Sequence, residues 1–435
     1  MCCARHGASL ADYTYAEDGV GNITGITDTV STGFNRTFAY DDLNRLITAN
    51  SGASLWNSGS YTYDSMGNMK TLGLGSARTA TFSYSGTLPK LTSVTENGTP
   101  RSVAYDAVGN ETAVGTATYA YGTRNQLESG DALTYTYDGW GRRLVTSGSL
   151  GTRYSFFTPG MTLLSESALT ISGRPAIAYK YIWFAGRPIA QVDGAGTHWT
   201  FSDHLGTPEI QTNSSGAIAY QAEYEPYGKV FALRSGDVHQ PLRLPGQVAE
   251  QFDTGANGAT ERNYNVFRWY RPGWGRYSQA DPIGLNGNYN LYRYVEDDPV
   301  SLDDPFGLRH LTPCEKLVLR PYIPQIDLNN ANIHEGEVPW WLGKDYGGVT
   351  LENNIYFRPG VYDPTTSYGL ALLGHESFHV GQYRTGMTRA DYLWEGFWHG
   401  GGQENRYEKP AYALQRRIYS DLVKAGFEGC ELCGR

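Results

Sequence analysis

Large apolar side chains recur two positions apart along the first third of the chain, and a polar turn follows most of the pairs. The pairs are Tyr13/Tyr15, Phe38/Tyr40, Tyr61/Tyr63, Phe82/Tyr84, Val103/Tyr105, Tyr119/Tyr121 and Tyr135/Tyr137. Side chains alternate faces along a strand, so both members of a pair point to the same side. Asp64 then leads to Gly67 and Asn68, Asp106 to Gly109 and Asn110, and Asp138 to Gly141 and Arg142. Asp or Asn with Gly supplies a hairpin turn, where positive φ costs little. The second tyrosines recur every 16–25 residues, the spacing of a repeat architecture. One two-stranded ribbon cannot bury its aromatic face alone, and stacked neighbours make the buried surface continuous.

The pattern loosens over residues 150–240, where Ile177–Trp183 reads as a strand and Gly186, Arg187 and Pro188 as a turn. A turn-rich stretch, 230–263, precedes a denser segment from Arg268 to Leu308, and then the pattern changes. Thr350–Leu351 and Ile355–Phe357 flank Glu352, Asn353 and Asn354 as a short hairpin. Residues 367–384 predict a helix with Leu370, Leu373, Phe378 and Val380 as apolar positions. Residues 404–425 predict another, with Ala411, Leu414, Ile418 and Leu422 at helical spacing and Gly426 as its stop. Pro410 fits if it lies in the first turn. His399 and Gly400–Gly402 read as a flexible link between the two helices.

Composition supports strands and turns: 53 glycines, 33 tyrosines and only 18% charged residues. With 435 residues, two or three domains are expected. The net charge is -9, and residues 309–435 hold 13 Lys/Arg against 15 Asp/Glu with no basic cluster, which argues against a nucleic-acid partner. The five cysteines, Cys2, Cys3, Cys314, Cys430 and Cys433, predict no disulfide framework, and the last two read as incidental thiols in a frayed tail. Neither a signal peptide nor a membrane span is expected.

The strongest chemical signal is His375-Glu376-Ser377-Phe378-His379. On a helix the i, i+4 spacing sets both imidazoles on one face, where they suit zinc. Glu376 then stands beside a metal-bound water, placed to accept its proton. The following helix returns a third ligand, for which Glu408 is the first choice, with Glu404 and then His399 behind it. Tyr383, Tyr392, Tyr407 and His399 are all of a type to act as general acid or oxyanion donor. The hairpin around Asn354 offers an edge strand to an extended peptide.

Two stretches resemble known families. Residues 11–308 resemble the C-terminal part of Rhs, or YD-repeat, proteins. The likeness is densest in Arg268–Arg276 (RWYRPGWGR), Asp281–Leu285 (DPIGL), Asn290–Tyr294 (NLYRY) and Asp304–Leu308 (DPFGL). It implies a β-strand shell around a C-terminal cargo, and a core that cuts the chain by aspartate-based self-proteolysis. Arg268, Asp281 and Asp304 are the residues it implies, with the cut between Leu308 and Arg309. Arg271 stands where the family usually has Asp, and Asp298 where it has Asn. Residues 309–435 resemble metallopeptidases of the gluzincin type, whose later-helix pattern E-x-x-A/S-D reads here Glu408 to Tyr412. Tyr412 replaces an aspartate that commonly supports the first histidine.

The expectation is therefore a mainly β YD-repeat shell of β-hairpins over 1–240, an Rhs-associated core over 241–308, and a small α+β zincin-like domain over 309–435. The resemblance implies a bacterial polymorphic-toxin effector with a zinc peptidase at its C-terminus. It would be made in the cytoplasm and delivered through a secretion-system component, with a protein or peptide substrate in the target cell and a cognate immunity protein. A non-enzymatic repeat carrier or adhesion protein, and a zinc amidase acting on cell wall, are the alternatives.

Overall fold

A computed structural model describes residues 2–427 except 6–7, 87, 159–160, 171–174, 185, 237, 251–260, 283–289, 306, 308, 312, 336–337, 339–341, 343–345, 359 and 400–404. The chain divides into two compact units, Met1–Gly307 and Leu308–Arg435.

In the first unit, 23 strands from Cys2–Arg5 to Val230–Gly236 form one sheet. Each strand pairs antiparallel with its neighbour in sequence, as in Tyr61↔Leu72, Phe82↔Val94 and Val103↔Val114. The turn chemistry is local. Asp106 Oδ1 accepts from the backbone N–H of Val108 at 3.1 Å and of Asn110 at 2.8 Å, and Oδ2 accepts from the Asn110 amide at 2.8 Å. Asp18 and Asp64 repeat this arrangement with Asn22 and Asn68. Asp41 and Asp138 bond Arg45 and Arg142 instead. Gly109, at φ 95°, takes the left-handed conformation that closes its turn.

The register shifts at the second aromatic of the pairs, before Tyr40, Tyr63, Tyr84, Tyr105, Tyr121 and Tyr137. Such a bulge re-aims a side chain. Four of these hydroxyls donate to a backbone carbonyl of a preceding strand: Tyr40 to Ile23 (2.8 Å), Tyr63 to Leu46 (2.9 Å), Tyr84 to Met69 (2.8 Å) and Tyr137 to Leu127 (2.9 Å). The first aromatics, including Phe38, Tyr61, Phe82, Tyr119 and Tyr135, are buried.

A second sheet, Val248–Ala249, Asn263–Asn265, Arg268–Arg271 and Arg276–Tyr277, packs its rings into the same core. Tyr264, Trp269, Tyr270, Tyr277 and Tyr294 join Tyr61, Phe82 and Tyr135 in one cluster. Arg271, the departure from the family pattern, is buried and paired with Glu111 of a shell strand; its Nε lies 2.9 and 3.2 Å from the two carboxylate oxygens. A buried guanidinium needs such a partner.

The second unit is α+β. Strands Arg309–His310, Asn332–Glu335, Asn354–Phe357 and Gly348–Leu351 lie in that order, the central pair parallel and the others antiparallel. Five helices accompany them: α1 Pro313–Leu319, α2 Gln325–Asn330, α3 Ser367–Arg384, α4 Arg389–His399 and α5 Glu408–Lys424. Thr366 caps α3 by accepting from Gly369 N–H. α3 and α5 run antiparallel: Ser367 Oγ bonds the Phe427 carbonyl past the far end of α5, while His375 meets Glu408 at its start. A Cβ on Gly374 would stand 2.3 Å from Ile418 Cδ1, so glycine permits this close approach.

One sequence expectation is corrected: of the link read over His399 and Gly400–Gly402, His399 is the last residue of helix α4, and Gly400–Gly402 lie outside the described residues. Cys314, on α1, is disulfide-bonded. An odd cysteine count excludes a fully paired framework, not a single bridge.

Candidate metal centre

α3 presents His375, Glu376 and His379 as buried residues, and Glu408 opens α5 opposite them. Ligand-type atoms of His375, His379 and Glu408 all lie within 4.8 Å of one another. Glu408 Oε2 is 3.1 Å from His375 Nε2 and 3.6 Å from His379 Nε2. The two Nε2 atoms are 3.3 Å apart. Both imidazole nitrogens and the carboxylate oxygen thus converge as ligands to one cation would.

The charges agree. Burial works to raise the Glu408 carboxyl, but hydrogen bonds from His375 and His379 outweigh it and hold the group well below the usual carboxylate range. Burial works to lower His379, and the bond to and charge of Glu408 hold it above its ordinary value. Two imidazoles and a carboxylate are the donor types of a catalytic zinc site.

Around these donors stands a supporting set. His379 Nδ1 lies 2.7 Å from Gln382 Oε1, and Gln382 Nε2 donates to the Tyr407 carbonyl at 3.0 Å. An Nδ1–H donated to Gln382 leaves the Nε2 lone pair for a metal. Tyr392 on α4 donates to Glu408 Oε1 at 2.6 Å. Among the described residues His375 Nδ1 is buried with no hydrogen-bond partner, and the Tyr412 ring meets the His375 ring in an edge contact with centroids 4.5 Å apart. Glu376 lies beside the donor set; Thr350, on the strand Gly348–Leu351, bonds its carboxylate at 2.7 Å and its carbonyl at 3.0 Å. Burial raises the Glu376 carboxyl above its ordinary value. Of the other candidates, Glu404 lies outside the described residues, as does the His399 side chain at the end of α4. The Tyr383 hydroxyl is buried without a partner, and Tyr407 OH accepts from Arg406.

A second cluster lies in the first unit. Arg268 NH1 is 3.0 Å from Asp281 Oδ2, and its NH2 is 3.4 Å from Asp304 Oδ2. Its Nε donates to the Gly307 carbonyl at 2.5 Å. Tyr277 donates to Asp304 Oδ2 at 2.6 Å, and its ring lies 3.5 Å from the Arg268 guanidinium carbon. Gly307 has φ 70°, and a Cβ there would meet the Asn265 carbonyl oxygen at 2.7 Å. Leu308 and the Arg309 side chain lie outside the described residues.

The teneurin YD-shell family model matches residues 12–300. The chain belongs to this family. A second model, the eCIS core domain, matches residues 325–387, which carry α2 and α3. The YD-shell chain is similar to double-stranded DNA deaminase toxin A of Burkholderia cenocepacia, 28% identical over 373 residues, covering 83% of this chain and 23% of that protein. It is also similar to toxin subunit YenC2 of Yersinia entomophaga, 25% identical over 376 residues, covering 69% and 38%. Among solved structures, TcdB2-TccC3-Cdc42 aligns with 21% identity and a TM-score of 0.49, covering 69% of this chain and 17% of that one. The YD-shell chain thus spans less than two-fifths of the length of these curated relatives.

Sequence reasoning had no separate role for Gln382 or Thr350, and left Tyr392 among several tyrosines. One signal for α4 was present. Thr388 and Asp391 form a reciprocal cap, Thr388 Oγ1 accepting from Asp391 N–H at 3.1 Å and Asp391 Oδ2 from Thr388 N–H at 3.0 Å.

Proposed function

We propose that this YD-shell protein is a polymorphic-toxin effector. Its C-terminal unit would act as a zinc-dependent peptidase, freed by self-cleavage between Leu308 and Arg309. The observation that carries the enzymatic reading is the convergence of His375, His379 and Glu408 with Glu376 at their side. His375 Nε2, His379 Nε2 and Glu408 Oε2 would hold the metal. Zinc, when bound, polarises a carbonyl and brings the pKa of water toward neutrality. Glu376 takes the proton of the attacking water and returns it to the leaving amine. Thr350 keeps its carboxylate turned to the site.

The strand that carries Thr350 favours a peptide substrate. Among the described residues it pairs on one side only, with Asn354–Phe357. We infer that an extended substrate backbone would pair along its other edge, next to the residue that handles the proton. The effector reading draws on the relatives, which are toxins by name. An immunity protein and a secretion-system component are the partners it implies. For self-cleavage, the support is the grip of Arg268 on both aspartates and on the Gly307 carbonyl, one residue before the implied cut.

The test is zinc analysis of the purified full chain, with activity on an unfolded protein substrate, on peptidoglycan and on duplex DNA. One zinc per chain is expected, with peptide-bond cleavage. Glu376→Gln should keep the zinc and lose at least a hundredfold in rate. A wild-type chain without zinc would end the enzymatic reading. Activity confined to peptidoglycan or DNA would overturn the peptidase assignment.

A further inference from the structure

We propose that Tyr392 is a positioning residue that holds Glu408 as a one-oxygen metal ligand. This rests on the metal reading above and goes beyond it by explaining how the third ligand is kept in place. Glu408 turns Oε2 toward both imidazole Nε2 atoms, at 3.1 and 3.6 Å. Its other oxygen, Oε1, accepts the Tyr392 hydroxyl at 2.6 Å. A short bond from a donor to a charged carboxylate is among the stronger hydrogen bonds. It opposes rotation of the carboxylate toward two-oxygen chelation, and so keeps a coordination position free for water.

Tyr392 is placed independently of Glu408. Its ring stands 5.6 Å from the His379 ring and 6.3 Å from that of Tyr383. It lies in the first turn of α4, whose start the Thr388–Asp391 cap defines. The phenol has one proton, and it is committed to the ligand. His379 has its own support in Gln382, and Tyr392 gives Glu408 the corresponding support.

The experiment strips the full chain of metal and reloads it with zinc or cobalt(II). Zinc affinity is read by competition with a chromophoric chelator, and coordination by the visible absorption of the cobalt form. Tyr392→Phe should weaken zinc binding about tenfold or more. Its cobalt band should weaken as the freed carboxylate raises the coordination number. Tyr392→Leu should lose zinc affinity likewise, with far-UV circular dichroism reporting the fold of each variant. Tyr383→Phe, which alters the same aromatic group without touching a ligand, should bind zinc as the wild type does. Wild-type affinity and spectrum in folded Tyr392→Phe would overturn the inference, as would an equal loss in Tyr383→Phe. If the wild type itself takes up no zinc, the underlying metal reading has failed, a result distinct from a failure of Tyr392 alone.

Discussion

Glu376 is a carboxylate in a buried position, and burial without a hydrogen-bond partner is costly. Thr350 supplies one partner through a hydroxyl that reaches both the carboxylate and the carbonyl of the same residue. Thr350→Val keeps the shape and removes the donor. It is expected to leave zinc content unchanged and to reduce peptidase turnover about tenfold, as a lost bond to a charged group of about 1.5 kcal/mol would do. A turnover equal to wild type would show that the packing of Thr350, not its hydroxyl, matters. The two kinds of residue at this site differ in legibility. His375 and His379 stand one helical turn apart, so their shared face follows from spacing alone. Thr350 and Tyr392 reach the site by tertiary packing from other elements, and no local pattern marks either of them.

Hairpins are the element that the sequence displays best. The alternation, the Asp and the Gly all act within one repeat, so local chemistry suffices to set each turn. The bulge before six of the second tyrosines was not legible. In four of them the hydroxyl bonds a preceding strand, as from Tyr63 to Leu46, and that partner lies well back along the chain. Turn aspartates should carry measurable stability. Asp106→Ala removes an acceptor for two backbone N–H groups and one side-chain amide. A loss of about 2 kcal/mol is expected in chemical denaturation, and roughly half that for Asp106→Asn, which retains one acceptor oxygen. Equal losses for the two would mean that the backbone bonds contribute little. α4 shows the opposite case. Its bulky aromatics and interior Gly396 are weak helix formers, so packing and a four-residue cap must establish it.

At the scale of the whole molecule, the two units meet in sequence between Gly307 and Leu308. If the core cuts the chain there, purified wild-type protein should yield a new N-terminus at Arg309 by terminal sequencing. Asp281→Asn and Asp304→Asn should each remain intact, because one carboxyl must give a proton while the other takes one. An uncut wild-type chain would remove self-cleavage from the proposal and leave the metal centre untouched. The mainly β character of the first unit was legible in its repeats. The burial of its core aromatics against shell strands was not, since it joins residues more than a hundred positions apart, as in Arg271 with Glu111.

Every strand of the long sheet finds its partner next to it in the chain, so each hairpin can close soon after it leaves the ribosome. Translation runs through all 23 strands and the aromatic core before His375 is added, and Glu408 follows still later. A nascent chain therefore lays down its shell strands before the two helices that bring His375, His379 and Glu408 together can both exist.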